Sequence, residues 1–414
     1  MTGFSRADGR LLVDGRPVEE AAERFGTPLY VYSRAALERA YRAYTEAFAP
    51  VPHRVCYALK ANGSGALLRV LASLGAGADV VSGFELHAAL RAGFAPAHVV
   101  FSGVGKTEDE LRLAVRTGIG EFNAESEDEV RRLSRVAAGE DATAQVTLRV
   151  NPDIDARSHP YISTGLRDNK FGVDISAAPA MLARLRGLPG IAIVGVQSHI
   201  GSQVRDLAPL GEAAAALAAL SRRLLDEGYP LRTIDIGGGL GVDYMEDAGP
   251  QPADLAAAVL PHLGGLGLTV LLEPGRSIVG RAGVLLTRVL YLKESYGKLF
   301  VVVDAGMNDL MRPALYQAFH RVEPVHARGA AARTVDVVGP VCETADFLAR
   351  ERVLELPRPG DLLAVRDAGA YGFSMASNYN MRPRPAEVLL ENGAFRLIRR
   401  RETFDDLVSS EVLD

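Results

Sequence analysis

The chain has 414 residues, 48% of them hydrophobic and 23% charged, which is the make-up of a globular protein with length for two domains. Its 46 Lys and Arg against 51 Asp and Glu leave a net charge of −5, arguing against nucleic acid or an anionic membrane surface as partner. Two cysteines, Cys56 and Cys342, make no disulfide framework, and the longest uncharged stretches, 187–204 and 255–272, are broken by Gly, Pro and His, so a reducing cytoplasm and no membrane-spanning helix are expected.

The opening MTGFSRADGR has no apolar core of an export signal. RLLVDGRPV (10–18) then reads as a β-hairpin. From residue 55 onward short apolar runs alternate with helical patterns. The runs are VCYALK (55–60), GADVVS (77–82), HVVFSG (98–103), GEFNAES (120–126), QVTLRVNP (145–152), IVGVQSHIGS (193–202), TIDIGGGLG (233–241) and TVLLEPGRS (269–277). Ser82 with Glu85, Thr107 with Glu110 and Ser126 with Glu129 have capping-box spacing, and Gly93 can close the helix that Ser82 opens. Eight strands alternating with helices predict a (β/α)8, TIM-type barrel over 28–276; an open doubly wound sheet is the rival.

After residue 277 the pattern changes to strands joined by turns: RAGVLLTRVLYLKES, KLFVVVDAG, RTVDVVGPVCE, DLLAVRDAGAYG and AEVLLENGAFRLIRR. Asn392-Gly393 between two such runs is a hairpin signal. A second, mostly β domain is expected from 277–414, joined by residues 1–27.

Chemistry in a barrel of this kind gathers where strands end and βα loops begin. Those positions hold Lys60, Asp79, Ser102, Asn123, Asn151, His199 with Ser202, Gly237–Gly239, and Glu273 with Arg276. Lys60 is a candidate Schiff-base amine, since burial would lower its pKa; it could equally snorkel into a loop. Three successive glycines offer bare N–H groups to a phosphate, or mark a tight turn. Glu273 and Arg276 could be a site carboxylate and a site cation, or a structural ion pair. His199 offers a flat ring for stacking, or is structural. As a set, amine, imidazole, glycine cradle, carboxylate and arginine match the needs of pyridoxal 5′-phosphate.

YALKAN (57–62), HIGSQ (199–203), GGGLG (237–241), EPGRS (273–277), VCETADFL (341–348) and AGAYGFSMASNYNMRPRP (368–385) resemble the fold-type III pyridoxal-phosphate decarboxylases, whose second domain is alanine-racemase-like. NPDIDARSHPYISTGLRDNKFG (151–172), DAGMNDLMRPALYQAFH (304–320) and the SNYNMRPRP tail narrow the resemblance to the diaminopimelate decarboxylases, which run the last step of lysine biosynthesis. Ala345 in CETAD stands where that family commonly has glycine.

The resemblance implies a role for each matching position. Lys60 would bind the cofactor's aldehyde and His199 would stack on its ring. Ser202, Gly238, Gly239, Gly275, Arg276 and Tyr371 would hold its phosphate, and Glu273 would face the pyridine nitrogen. Arg276, Arg312, Tyr316, Glu343 and Tyr371 would take the substrate's far amino-acid head. Cys342 would donate a proton to the α-carbon, from a loop that enters a partner subunit in a two-fold dimer. Taken singly, Arg312 or Glu343 would be read as a surface charge and either cysteine as a small buried hydrophobe. Other substrates stay open at this point: ornithine, lysine or arginine, a carboxylated polyamine precursor, a carrier-tethered amino acid, an alanine racemase reaction, or a catalytically dead binding homologue. A diamine-forming decarboxylase or a racemase has no use for an arginine aimed at a distal carboxylate.

Overall fold

The computed structural model describes residues 2–155, 165, 169–245 and 249–412; residues 156–164 and 166–168 of the 151–172 motif therefore lie outside the described residues. The chain divides into two compact units, one of residues 40–242 and 248–277, the other of 1–39, 243–247 and 278–414.

The first unit contains eight parallel strands: β1 (His53–Ala58), β2 (Gly77–Val80), β3 (Val99–Phe101), β4 (Glu121–Ala124), β5 (Ala144–Asn151), β6 (Ile191–Gln197), β7 (Thr233–Asp235) and β8 (Thr269–Leu272). Each pairs with the next in chain order, and β8 returns to β1 through Val270 opposite His53. That last pairing closes the sheet and rules out the open doubly wound rival. The strands follow from their apolar runs: every residue of β2, β3, β4 and β7 is buried, as expected of strands covered on both faces. The caps work as spaced. Ser82 Oγ accepts from Glu85 N–H, Thr107 and Glu110 form a reciprocal box, Ser126 Oγ accepts from Glu129 N–H, and Gly93 closes its helix in the left-handed region at φ 99°.

A polar layer crosses the barrel interior. Glu121 accepts from Thr147 Oγ1 on the adjacent strand and from Thr233 Oγ1 at 3.0 Å. Gly195 of β6 makes room for it, since a Cβ there would sit 2.8 Å from Thr147 Oγ1. Burial raises the Glu121 carboxyl above its ordinary range, against the pull of the two threonine bonds.

The second unit has a small antiparallel sheet of Phe4–Ala7, Arg10–Val13 and Arg16–Pro17, which includes the expected N-terminal hairpin. Its larger sheet runs in the order 347–355, 332–338, 298–303, 283–295, 29–33, 386–391, 394–399. The thirteen-residue strand Gly283–Ser295 is its axis. One half pairs with Leu29–Ser33 and Leu362–Val365, the other with Lys298–Val303. Asn392 and Gly393 both have positive φ, 51° and 73°, in the hairpin joining 386–391 to 394–399. Residues 28–39, expected in the barrel, belong to this unit, because Leu29–Ser33 lies between Gly283–Ser295 and Ala386–Glu391. Leu29, Val31, Val284, Leu286, Val388 and Leu390 from these three strands share one core.

Candidate active site

The barrel strands deliver their polar residues to one rim. β1 ends at Ala58, and Lys60 sits beyond it in a one-turn helix, Leu59–Ala61. Its side chain is 38% exposed and its Nζ lies 2.6 Å from Asp79 Oδ2, whose carboxylate is fully buried at the end of β2. The expectation of a buried amine is therefore corrected: the strand stops two residues early, and Lys60 stands partly exposed at the rim with Nζ against a buried carboxylate. Its partial exposure fits the snorkelling alternative, while the contact with buried Asp79 directs Nζ back toward the barrel.

Glu273 follows β8 and is buried. Asn123 Nδ2 donates to its Oε1 at 2.9 Å, Ser102 Oγ to the same oxygen at 3.3 Å, and Gln197 Nε2 to Oε2 at 3.1 Å. These donors come from the ends of three other strands. Burial pushes the Glu273 carboxyl well up, and the Asp235 and Asp79 carboxyls push the same way, while Lys60 opposes them. Asp235 is itself pushed up to about 7, by burial first. Glu273 bonds neutral donors, so it is not the structural partner of Arg276. Arg276 instead donates to Ser202 Oγ from its Nη2 at 3.0 Å and its Nε at 3.3 Å.

The glycine run is dictated by crowding. A Cβ on Gly237 would stand 2.8 Å from Ser198 O; one on Gly238 would collide with Glu273 O, and one on Gly239 with Gly201 O. Gly237 and Gly239 have φ of 67° and 106°. Gly275 has the same need, with Ala61 Cβ at 2.8 Å from where its own Cβ would be. The expectation of bare N–H groups is corrected in part. Gly237 N–H donates to Asp235 Oδ1 at 2.7 Å and Gly238 N–H to His199 Nδ1 at 3.3 Å, so the loop braces the site first. Since Nδ1 accepts, the His199 proton sits on Nε2. Burial, then the Arg149 and Lys60 cations, hold its pKa well below the ordinary value and keep the ring neutral.

In the β unit, Arg312 opens the short helix Arg312–Tyr316 and is buried, not a surface charge. Its guanidinium carbon lies 4.6 Å from the Tyr244 ring centroid. Tyr316 ends the same helix. Cys56 is buried and Cys342 exposed, so the reading as a small buried hydrophobe fails for Cys342. Cys342 N–H donates to Asn380 Oδ1 at 2.8 Å, and Tyr379 Oη to Glu343 Oε2 at 3.4 Å. The SNYNMRPRP motif thus supports the Cys-Glu loop. Tyr371 adopts φ 55°. Sequence reasoning passed over Gln197, Asp235, Asn380 and His320. For Gln197 and Asp235 the available signal was a polar residue in or just after an otherwise apolar run.

The rim fits pyridoxal 5′-phosphate. An amine stands at one strand end and a flat neutral imidazole at another. A buried carboxyl whose neighbours are also acidic would be stabilised as the anion by a pyridinium N–H. The close-packed glycines and the Arg276–Ser202 pair provide the kind of surface an anion needs.

The model of the pyridoxal-dependent decarboxylase pyridoxal-binding domain matches residues 34–280. The diaminopimelate decarboxylase of Pseudomonas aeruginosa is 54% identical over 413 residues, covering 100% of this chain and 99% of that one. Among solved structures, diaminopimelate decarboxylase from Helicobacter pylori complexed with L-lysine superposes with TM-score 0.91 at 43% identity, over 94% of this chain and 98% of that one. The M. jannaschii diaminopimelate decarboxylase in co-complex with L-lysine gives 0.95 at 38%, over 100% and 99%. With near-complete coverage at such identity, and a closed barrel whose rim fits the cofactor, this chain belongs to the diaminopimelate decarboxylases, a family of pyridoxal-dependent decarboxylases.

Proposed function

We propose that this chain, as a cytoplasmic homodimer using pyridoxal 5′-phosphate, converts meso-2,6-diaminopimelate to L-lysine and CO2. The observation that carries the reading is Glu273, a buried carboxyl held by donors from three strand ends while Lys60 stands at a fourth. Two of the relatives are diaminopimelate decarboxylases complexed with L-lysine, the product of this reaction.

When bound, the cofactor supplies an electron sink for the pair left on the α-carbon as CO2 departs. Lys60 would hold the cofactor's aldehyde end through Nζ, with Asp79 Oδ2, 2.6 Å away, placed to accept a proton from it. His199 would offer its ring for stacking on the cofactor ring. Ser202, Gly238, Gly239, Gly275 and Arg276 would hold the phosphate, with Tyr371 assigned to the same role by family likeness alone. Glu273 would face the pyridine nitrogen and favour its protonated form, its carboxyl aimed by Asn123, Ser102 and Gln197. Cys342 Sγ delivers the proton that replaces CO2 on the α-carbon. Arg312 would fork onto the distal carboxylate and Glu343 would take the distal ammonium, with Arg276, Tyr316 and Tyr371 assigned to the same substrate head by family likeness.

Cys342 and Glu343 stand exposed on their own chain, which supports a dimer in which each loop completes a partner's site. Among the described residues no helix is long and apolar enough to cross a membrane. The experiment is an assay of lysine and CO2 from meso-diaminopimelate, run beside ornithine, lysine and arginine. Release of lysine from diaminopimelate with little turnover of the others supports the reading; a preference for any of the other three overturns it.

A further inference from the structure

The loop of the β unit that carries Cys342 is built from contacts that the mechanism above does not use. Glu343 N–H donates to Val341 O at 2.8 Å, so Cys342 is the middle residue of a three-residue turn and stands exposed at its crest. The base of the loop is pinned by buried Asp346. Its Oδ2 accepts from Val341 N–H and its Oδ1 from Met307 N–H, both at 2.6 Å. The carboxylate has room only beside a glycine, since a Cβ on Gly339 would stand 2.6 Å from Oδ2. The crest is held separately: Cys342 N–H donates to Asn380 Oδ1 at 2.8 Å.

Asn380 reaches Cys342 from a strained turn. Its φ and ψ are 57° and 31°, and Met381 after it has φ 55°. Residues with a Cβ seldom occupy the left-handed region, and two in succession are rarer still. Such backbone persists where its surroundings over-determine it. Asn378 Nδ2 closes this turn by donating to Arg382 O at 3.0 Å, and it also donates to Glu402 Oε2 at 2.7 Å. The Glu402 carboxylate takes Arg384 N–H at 2.8 Å and Arg384 Nε at 2.7 Å as well. Arg382 Nη2 donates to Asp304 O at 2.8 Å. Together these bonds hold residues 378–384 in a form that aims an amide oxygen at the Cys342 N–H.

We propose that Asn380 is a positioning residue for proton delivery, locking the backbone of Cys342 so that its thiol meets the α-carbon. The proposal rests on the reading of Cys342 as the proton donor. A thiol at the crest of a loop goes where its backbone goes, and a bond at the amide restrains the direction of the Cα–Cβ bond. Proton transfer needs that direction held closely. When the thiol is misaimed, the electron pair left by departing CO2 can instead take a proton from water at the cofactor carbon that was the aldehyde. Two electrons then pass from the substrate carbon to the cofactor. Hydrolysis frees the substrate carbon as an aldehyde and leaves its nitrogen on the cofactor as an amine. CO2 is released on both routes, lysine on the first alone. The ratio of CO2 to lysine therefore reads the aim of the thiol.

Four variants of the holoenzyme separate the outcomes: Asn380→Gly, Asn380→Asp, Tyr379→Phe and Cys342→Ala. Asn380→Gly deletes the acceptor and tolerates the left-handed backbone, while Asn380→Asp keeps an acceptor oxygen in the same place. The readouts are CO2 and lysine formed from diaminopimelate, the KM, and deuterium uptake without substrate by the peptide that spans residues 341–346. Asn380→Gly should slow lysine formation about two- to tenfold, the effect of one neutral hydrogen bond, with KM unchanged. Its CO2 should exceed its lysine, and its residue 341–346 peptide should take up deuterium faster than wild type. Asn380→Asp should restore both readings. Tyr379→Phe loses the 3.4 Å bond to Glu343 and keeps the one to Cys342, so its CO2 and lysine should stay equal. Equal CO2 and lysine in Cys342→Ala would mean that Cys342 is not the donor, and the reading beneath the proposal fails. If Cys342→Ala uncouples the two products and Asn380→Gly does not, the role of Asn380 is refuted and that of Cys342 stands. Unchanged deuterium uptake in Asn380→Gly, or uncoupling in Asn380→Asp or Tyr379→Phe as large as in Asn380→Gly, overturns the proposal. If Asn380→Gly loses CO2 and lysine in step, Asn380 is structural and the proposal is overturned too.

Discussion

Replacing Glu273 by glutamine tests how the barrel tunes its cofactor, because the structure predicts a chemical cost without a folding cost. The carboxyl accepts on both oxygens, from Asn123 and Ser102 on one side and Gln197 on the other. A glutamine amide must point its NH2 at one of these donors. Among the described residues, Gln197 Oε1 and Asn123 Oδ1 have no hydrogen-bond partner, so a flip of either neighbouring amide restores a matched pair. The folding penalty should stay near or below about 1 kcal/mol. At neutral pH the cofactor-free variant should even gain stability, since it no longer buries an ionisable carboxyl. The sign follows from the raised folded-state pKa: the stability that Glu273 lends is present below its ordinary 4.5 and is lost as pH rises through the folded value. Melting of cofactor-free wild type should thus weaken as pH rises above 4.5, and Glu273→Gln should weaken less.

The chemistry should suffer instead. A carboxylate about 4 Å from a cation contributes on the order of 4 kcal/mol at an effective dielectric near 20. Losing it would lower the pyridine nitrogen's pKa by about three units. Turnover of diaminopimelate should fall on the order of 10²–10³-fold while the cofactor stays bound. The assay is kcat with a pH titration of the cofactor's visible band and parallel melting curves. Turnover within a few-fold of wild type, with an unshifted titration, would refute the role of Glu273. A large drop in the melting temperature of the cofactor-free variant would refute the flip argument.

Gly239→Ala drives a Cβ into Gly201 O at φ 106°, and such overpacking costs about 1–3 kcal/mol. Equilibrium dialysis should show the cofactor held at least about tenfold more weakly; an unchanged Kd would remove the glycine loop from the phosphate site. Lys60→Ala and Cys342→Ala should each be nearly inactive, yet mixing them after verified subunit exchange should restore roughly a quarter of wild-type activity if two-fold dimers share sites. No recovery would count against Cys342 acting across the interface.

The eight barrel strands were legible because strands buried on both faces leave uninterrupted apolar runs, and because Ser82, Thr107 and Ser126 mark the helix starts. The rim residues were legible for the same reason, as the first polar groups after such runs. Two β-unit strands were not. Leu29–Ser33 is an unbroken apolar run that pairs only with distant segments, Gly283–Ser295 and Ala386–Glu391. Phe347–Glu355 carries Arg350, Glu351 and Arg352 mid-strand, with Glu351 at positive φ, which breaks the alternation that announces a strand. The second bonds of the site were hidden too. Nothing local ties Gln197 to Glu273; the pair meets only when the barrel closes.

The most direct test of the central claim is to find which lysine carries the cofactor. The chain has five, Lys60, Lys106, Lys170, Lys293 and Lys298, and Lys106 is the rival within the barrel, buried against Glu129 at 2.7 Å. Borohydride reduction of the holoenzyme, digestion and mass spectrometry should place the reduced cofactor on the peptide containing Lys60 and on no other. Label on Lys106 or any other lysine, or label retained in Lys60→Ala, would contradict the account.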